Sequence, residues 1–264
     1  METLKIGFSP CPNDTFIFHA MTHGLVDTGG FSFETIIKDV DELNRMAFEG
    51  AADITKLSFH AYLKLRDRYD ILSSGSALGF GCGPLLVNKS GHADKNAIIA
   101  VPGELTTASL LLRLYLPDTA NPVFTRFDRI MPGIKSGEFD AGVIIHEGRF
   151  VYENYGLRKI VDLGSWWESL TGMPIPLGCI AVKKDLGAGT KNIIESVIRS
   201  SVLYAFNNRE TSWDFIRRHA SEMDEGVIRS HIDLYVNDFT IELGEKGMKA
   251  VNLLESMARE KGII

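Results

Sequence analysis

Cysteine is scarce in this sequence. Three cysteines, Cys11, Cys82 and Cys179, lie far apart in 264 residues, odd in number and without a CxxC pair. That excludes a disulfide framework and offers no zinc-ligand spacing, leaving reduced thiols at small buried positions. Histidine gives no metal pattern either: His19, His23, His60, His92, His219 and His231 fall on predicted helices or loops with no HExxH or clustered spacing. Long apolar runs are missing. "AIIAV" and "AGVII" fall far short of the roughly 20 residues a membrane helix needs, so no membrane span is expected. The opening "METLKIGFSPCPND" has no cationic segment followed by a long apolar one; it does not read as a signal peptide, and the expected location is cytoplasmic. Positive charge is in deficit, 28 basic against 34 acidic side chains, with no basic run. Nucleic acid, whose phosphates demand cationic neutralisation, is not an expected partner. No GxxxxGK(S/T) or GxGxxG loop occurs, and "GFGCGP" at 79–84 leads into a strand rather than a helix, so neither a P-loop nor a dinucleotide fold is supported.

What remains is the material of an ordinary globular protein: 45% hydrophobic and 23% charged residues, enough for one large α/β domain or two smaller ones. Short β-branched runs alternate with amphipathic stretches, the mark of βαβ units and a largely parallel sheet. "LKIGFS", "FSFETIIK", "DITKLS" and "GPLLVNK" read as strands. The helices between them are "NDTFIFHAMTHG", capped by Asn13 or Asp14, "DVDELNRMAFEG", started by Asp39 or Asp41 and ended by Gly50, and "FHAYLKLRDRY". A second series runs through "NAIIAVPG", "TTASLLLRLYL", "VFTRF", "DRIMPGIKSG" and "DAGVIIHE". Both series contain a helix-ending glycine with an aspartate three residues later, Gly50 to Asp53 and Gly137 to Asp140, a weak internal match of the kind two related lobes would leave. After "GCIAVKKDLG", a returning strand, only helical periodicity remains. The expected architecture is therefore α/β, a two-lobed clamshell with mixed, mainly parallel sheets and a C-terminal helical segment. Residues 1–90 and 181–264 would form the larger lobe and 91–180 the smaller, with the ligand cleft between them.

Parallel sheets place ligands outside the carboxyl ends of their strands, which directs attention to four segments. "SPCPNDT" offers Asn13 and Asp14, either as helix caps or as cleft-lining groups with free amides for an anion. "TKLS" presents Lys56 with Thr55 and Ser58, suited to a carboxylate or a polyol. "GELTTAS" sets Thr106 and Thr107 at a helix start, where hydroxyls and unpaired N–H groups can hold an anionic oxygen, although capping alone would explain Thr106. "HEGR" follows a buried strand with His146, whose imidazole titrates near neutrality and suits a general base; Glu147 would face the other side. Trp166 and Trp167 in "GSWWESLTGMPIPLG" either line the cleft or pack the second lobe.

Taken together, "GFSPCPNDTFIF", "ITKLS", "VPGELTTA", "GEFDAGVIIHEGRF" and "VDLGSWWESLTGMPIPLG" resemble the 1,4-dihydroxy-6-naphthoate synthase family of the futalosine route to menaquinone, over essentially the whole chain. The resemblance implies a type II periplasmic-binding-protein-like fold used for catalysis. It also implies conversion of the small molecule cyclic dehypoxanthinyl futalosine to 1,4-dihydroxy-6-naphthoate without a cofactor or metal, a carbon lyase reaction. Carried over by position, it places the catalytic base at His146 and substrate contacts at Lys56, Leu57, Ser58, Thr107 and Ala108. Chorismate dehydratase of the same pathway and a non-catalytic intracellular solute-binding protein are the competing readings. The oligomeric state is left open.

Overall fold

A computed structural model of the protein describes residues 2–92, 96–117, 122–222 and 224–264. The chain runs through β1 (Glu2–Phe8), α1 (Pro12–Thr22), β2 (Phe31–Ile37), α2 (Val40–Glu49), β3 (Ile54–Ser58), α3 (Phe59–Lys64), β4 (Tyr69–Ile71) and β5 (Ala77–Gly79). It continues through β6 (Leu85–Asn88), β7 (Ile99–Val101), α4 (Thr107–Tyr115), β8 (Val123–Phe124), α5 (Phe127–Ser136), β9 (Ala141–Ile144), α6 (Gly148–Val151), β10 (Arg158–Asp162), α7 (Leu163–Thr171) and β11 (Ile175–Lys183). Five helices close it: α8 (Gly187–Asn207), α9 (Trp213–His219), α10 (Glu225–Tyr235), α11 (Asp238–Ile241) and α12 (Gly244–Glu260).

Two sheets result, β2-β1-β3-β11-β4 with β5 also on β11, and β10-β6-β9-β7-β8. The sheets are mixed, but the expected parallel majority does not hold. Among the described residues β1 pairs in parallel with β2 and β3, and β7 with β8 and β9, whereas the other five pairings are antiparallel. The cause is that β6 and β11, which carry the chain between the sheets, run against their neighbours and between them take part in all five antiparallel ladders. Pairing also moves the boundary expected from sequence. Leu85–Asn88 is hydrogen-bonded to β9 and β10 in the second sheet, although a division at residue 90 assigned it to the first lobe. β11 pairs along its length in the first sheet, where a division at 180 cut through it. Backbone partners decide this, and composition does not report them.

The local signals hold where chemistry is local. Asp39 Oδ1 accepts from the Asp41 amide at 2.9 Å at the start of α2, and Gly50 ends that helix in the left-handed region. The helix expected over "FHAYLKLRDRY" stops at Lys64, because Leu65 and Tyr69 turn into the core and the chain re-enters the sheet as β4. The strand expected over "VFTRF" reduces to Val123–Phe124. α1 and α8 share one apolar cluster with β1, which seats the C-terminal helices on the first sheet, while α4, α7 and α12 share the other large cluster with β11.

Candidate active site

A cavity with about 660 Å³ of space between its atoms, its open mouth included, lies between the two sheets. That is the size of an ordinary small-molecule site. Its walls come from the segments expected to carry chemistry: the loop after β1, the end of β3, the start of α4 and the residues after β9. A further wall comes from α10 through His231 and Tyr235, a helix the sequence did not implicate.

Behind the first wall is a buried charge pair. Lys56 Nζ donates to Asp14 Oδ1 at 2.8 Å, with both side chains almost wholly out of solvent. The Asp14 carboxylate also accepts from Asn13 Nδ2 at 2.9 Å, the Ser9 hydroxyl at 2.7 Å and the Ser9 amide at 3.2 Å. Asn13 and Asp14 are therefore not helix caps. The N-cap position of α1 is Cys11, with no side-chain cap bond, and both polar side chains lie inside the first turn facing the cavity network. Lys56 reaches the cavity with its charge already matched, so what it offers a ligand is its remaining N–H groups.

Strand alternation separates the next three candidates. Lys56 and Ser58 line the cavity, whereas Leu57 points the opposite way into the apolar cluster beneath, so its side chain cannot touch a ligand. Asn44, unnoticed in the sequence, fixes Ser58: its Oδ1 accepts the Ser58 amide at 2.9 Å and its Nδ2 donates to the Ser58 hydroxyl at 3.1 Å. The hydroxyl proton of Ser58 is left to point elsewhere. At α4, Thr106 caps the helix by accepting from the Ser109 amide at 3.2 Å, and Thr107 Oγ1 donates to the Leu177 carbonyl at 2.6 Å, tying the second lobe to β11 across the cleft. Thr106, Thr107 and Ala108 all line the cavity, and the first amides of α4 have no acceptor within the helix.

His146 sits just beyond β9 with φ of 54°, the left-handed region, and is the one non-glycine residue with positive φ among those described. Such a conformation costs energy and persists only where surroundings hold it. Two contacts do so: Phe127 meets the imidazole edge-on with ring centroids 5.1 Å apart, and Cys11 Sγ lies 3.4 Å from Nδ1. Nε2 is buried with no partner in the protein, in a residue that lines the cavity. Burial, with Glu147 and Asp14 nearby, pushes the Cys11 thiol well above its ordinary value, so the sulfur is a neutral hydrogen-bonding neighbour and no nucleophile. Glu147 is buried but does not line the cavity. Trp167 is fully buried with Nε1 donating to the Pro174 carbonyl at 3.1 Å; it and Trp166 pack the second lobe and do not line the cavity.

Sequence reasoning missed Cys11, Asn44, His231 and Tyr235. Cys11 lay inside a loop already singled out, between two prolines, but its partner is 135 positions away. His231 carried no signal, since a histidine on an amphipathic helix looks the same whether it faces a core or a ligand. Among the described residues no group of three or more His, Cys, Asp or Glu side chains is placed to hold a metal ion.

The sequence profile of the menaquinone biosynthesis family matches residues 4–260. A 1,4-dihydroxy-6-naphthoate synthase of Thermus thermophilus is 48% identical over 264 residues, covering all of this chain and 96% of the relative. An enzyme of the same name from Streptomyces coelicolor is 42% identical over 269 aligned residues, covering all of this chain and 95% of its own. A crystal structure of a protein from Archaeoglobus fulgidus superposes with a TM-score of 0.95 at 38% identity, over 99% of this chain and 98% of that one. At 12% identity, a Candida albicans protein described as having the generic periplasmic binding protein fold superposes with a TM-score of 0.70, over 100% of this chain and 91% of its own. The two-lobed fold is thus the periplasmic-binding-protein fold.

Proposed function

The chain belongs to the menaquinone biosynthesis family, and we propose that its cleft performs the 1,4-dihydroxy-6-naphthoate synthase reaction with His146 as the general base. The relatives that match over the whole chain carry that enzyme's name, which favours it over chorismate dehydratase and over a solute carrier. The substrate is cyclic dehypoxanthinyl futalosine and the product the naphthoate, with release of a three-carbon fragment derived from the sugar. The reading puts the enzyme in the cytoplasm.

One observation carries the role of His146: a buried imidazole nitrogen without a protein partner, in a cavity wall, on a backbone held in a conformation that costs energy. In this reading Nδ1 is the nitrogen that carries the hydrogen, facing Cys11 Sγ at 3.4 Å, so that the lone pair on Nε2 takes a proton from the sugar-derived carbon skeleton. Ring opening and elimination follow, drawn forward by aromatisation. The first amides of α4, at Thr107 and Ala108, hold the substrate carboxylate, and the Ser58 hydroxyl and Lys56 ammonium hold its oxygens, so the reacting carbon is fixed against the imidazole.

The test is single-turnover conversion of cyclic dehypoxanthinyl futalosine, with the naphthoate followed by chromatography. Wild type is expected to turn over, and His146→Ala to bind substrate but lose about 100-fold or more in rate. Binding by wild type without turnover would make the protein a carrier, and turnover of chorismate in its place would assign the dehydratase.

A further inference from the structure

The proton positions on His231 follow from a chain of hydrogen bonds that begins at a charge. Asp14, paired with Lys56, is an acceptor only, so Asn13 must turn its NH₂ toward it, and the bond from Asn13 Nδ2 to Asp14 Oδ1 is 2.9 Å. The amide oxygen of Asn13 then faces His231 Nε2 at 2.9 Å. A carbonyl oxygen only accepts, so Nε2 carries the hydrogen. A neutral imidazole has a single N–H, which leaves the lone pair on Nδ1. The ring is neutral: burial first, then His146 and Lys56, push its pKa well below the ordinary histidine value.

That Nδ1 is buried and has no partner in the protein, on a residue 1% exposed whose side chain lines the cavity. The ring lies nearly parallel to that of His146, 25° between planes and 6.3 Å between centroids, so two unpaired imidazole nitrogens belong to one cavity. His60 also has an unpaired buried Nε2, but it does not line the cavity. A buried acceptor without a donor is costly to keep, and where it borders a ligand site the ligand is its natural donor.

We propose that His231 is a second imidazole contact for the substrate, its Nδ1 accepting a hydrogen bond from a hydroxyl on the sugar-derived part of the molecule. The kind of donor, a polyol hydroxyl, rests on the function proposed above; the acceptor does not. With His146 taking a carbon-bound proton and His231 orienting a hydroxyl nearby, the two rings do different work. The Lys56–Asp14–Asn13 chain serves to hold His231 in the accepting tautomer, which gives that buried charge pair a purpose beyond stability.

Two variants and one spectrum test this in the full-length protein. His231→Gln can still donate to Asn13 but has no acceptor where Nδ1 lies, and kcat/KM on cyclic dehypoxanthinyl futalosine is expected to fall roughly tenfold. His231→Asn sets an amide oxygen near the Nδ1 position and should recover most of that loss. Nitrogen-15 NMR of the imidazoles, with His231 assigned by its absence from the His231→Asn spectrum, should show an unprotonated Nδ1 in the free protein. In the His146→Ala variant, saturation with cyclic dehypoxanthinyl futalosine should shift that resonance toward the hydrogen-bonded range. A protonated Nδ1 in the free wild type, a resonance unmoved at saturation, or wild-type kcat/KM in His231→Gln would each overturn the proposal. Absence of wild-type turnover would instead refute the function and with it the named donor, while the tautomer of the free protein would still decide the acceptor.

Discussion

A buried imidazole makes its presence felt in the pH dependence of folding. His60 is almost fully out of solvent, its Nδ1 donates to the Thr106 carbonyl at 3.3 Å, and burial outweighs that bond to push its pKa down to about 4. His19 is pushed down to about 4 as well, again chiefly by burial. A folded-state value below the unfolded value of about 6.5 means that the unfolded chain binds the proton more readily as pH falls. The stability is therefore complete above about pH 6.5 and is lost progressively on the way down to 4. Urea titrations should show about 2 kcal/mol less stability at pH 5 than at pH 7 through His60 alone, and the decline should be shallower in His60→Gln. A decline of equal steepness in the variant would assign the acid sensitivity to other groups. Seven histidines stood alike in the sequence; only His146 was singled out, because it alone followed a buried strand. Burial separated His60 from the rest and a hydrogen-bond chain separated His231, and both depend on residues distant along the chain.

Between residue and molecule, the elements meet at glycines whose substitution should act in opposite directions. Gly83, in the link from β5 to β6, lies against Gly164 at the start of α7, and a Cβ on Gly83 would stand 2.3 Å from the Gly164 Cα and amide nitrogen. Backbone cannot yield as a side chain does, so Gly83→Ala should cost about 1–3 kcal/mol. Gly189, in the first turn of α8, has nothing within 4 Å of a built Cβ, and Gly189→Ala should stabilise by about 0.4–1 kcal/mol through the unfolded chain. Chemical denaturation of the two variants, measured side by side, checks both signs. The same link is clasped by Arg149, which donates to the Gly83 carbonyl and to Asp162 Oδ2, each at 2.6 Å, while Asp162 caps α7. In the sequence, "GFGCGP" showed only that it leads into a strand. The glycines of this link were legible in the sequence, but the contacts that restrain it were not, because Arg149 lies 66 positions further along the chain.

For the molecule as a whole, two chain crossings and the Thr107–Leu177 hydrogen bond connect the lobes around the cavity. Hinge closure around a ligand that touches both walls is the expected motion of a clamshell so connected. Small-angle scattering is expected to give a smaller radius of gyration for the His146→Ala variant with cyclic dehypoxanthinyl futalosine than without it. An unchanged radius under saturating ligand would mean that the lobes are already closed, with the substrate entering by local movement. The long-range layout is also where sequence reasoning was least complete. Alternating strands and helices announced two α/β lobes, but β4, β5 and β10 were too short or too polar at their ends to stand out, and the antiparallel ladders of β6 and β11 left no periodic trace.

By itself the sequence determined the α/β class, the caps of α2 and α4, and the segments that carry Asn13, Asp14, Lys56, Ser58, Thr106, Thr107 and His146, since each follows from periodicity and turn chemistry within a few neighbouring residues. Family membership is equally a property of the linear chain. Tertiary structure alone decided that Asp14 neutralises Lys56 and that Leu57 turns away from the cavity. It also set Cys11 against His146 and brought His231 to the same cavity with its Nδ1 unpaired. These outcomes depend on which groups meet once the lobes are packed, and a hydrogen bond between residues 13 and 231 is invisible to any local reading of either.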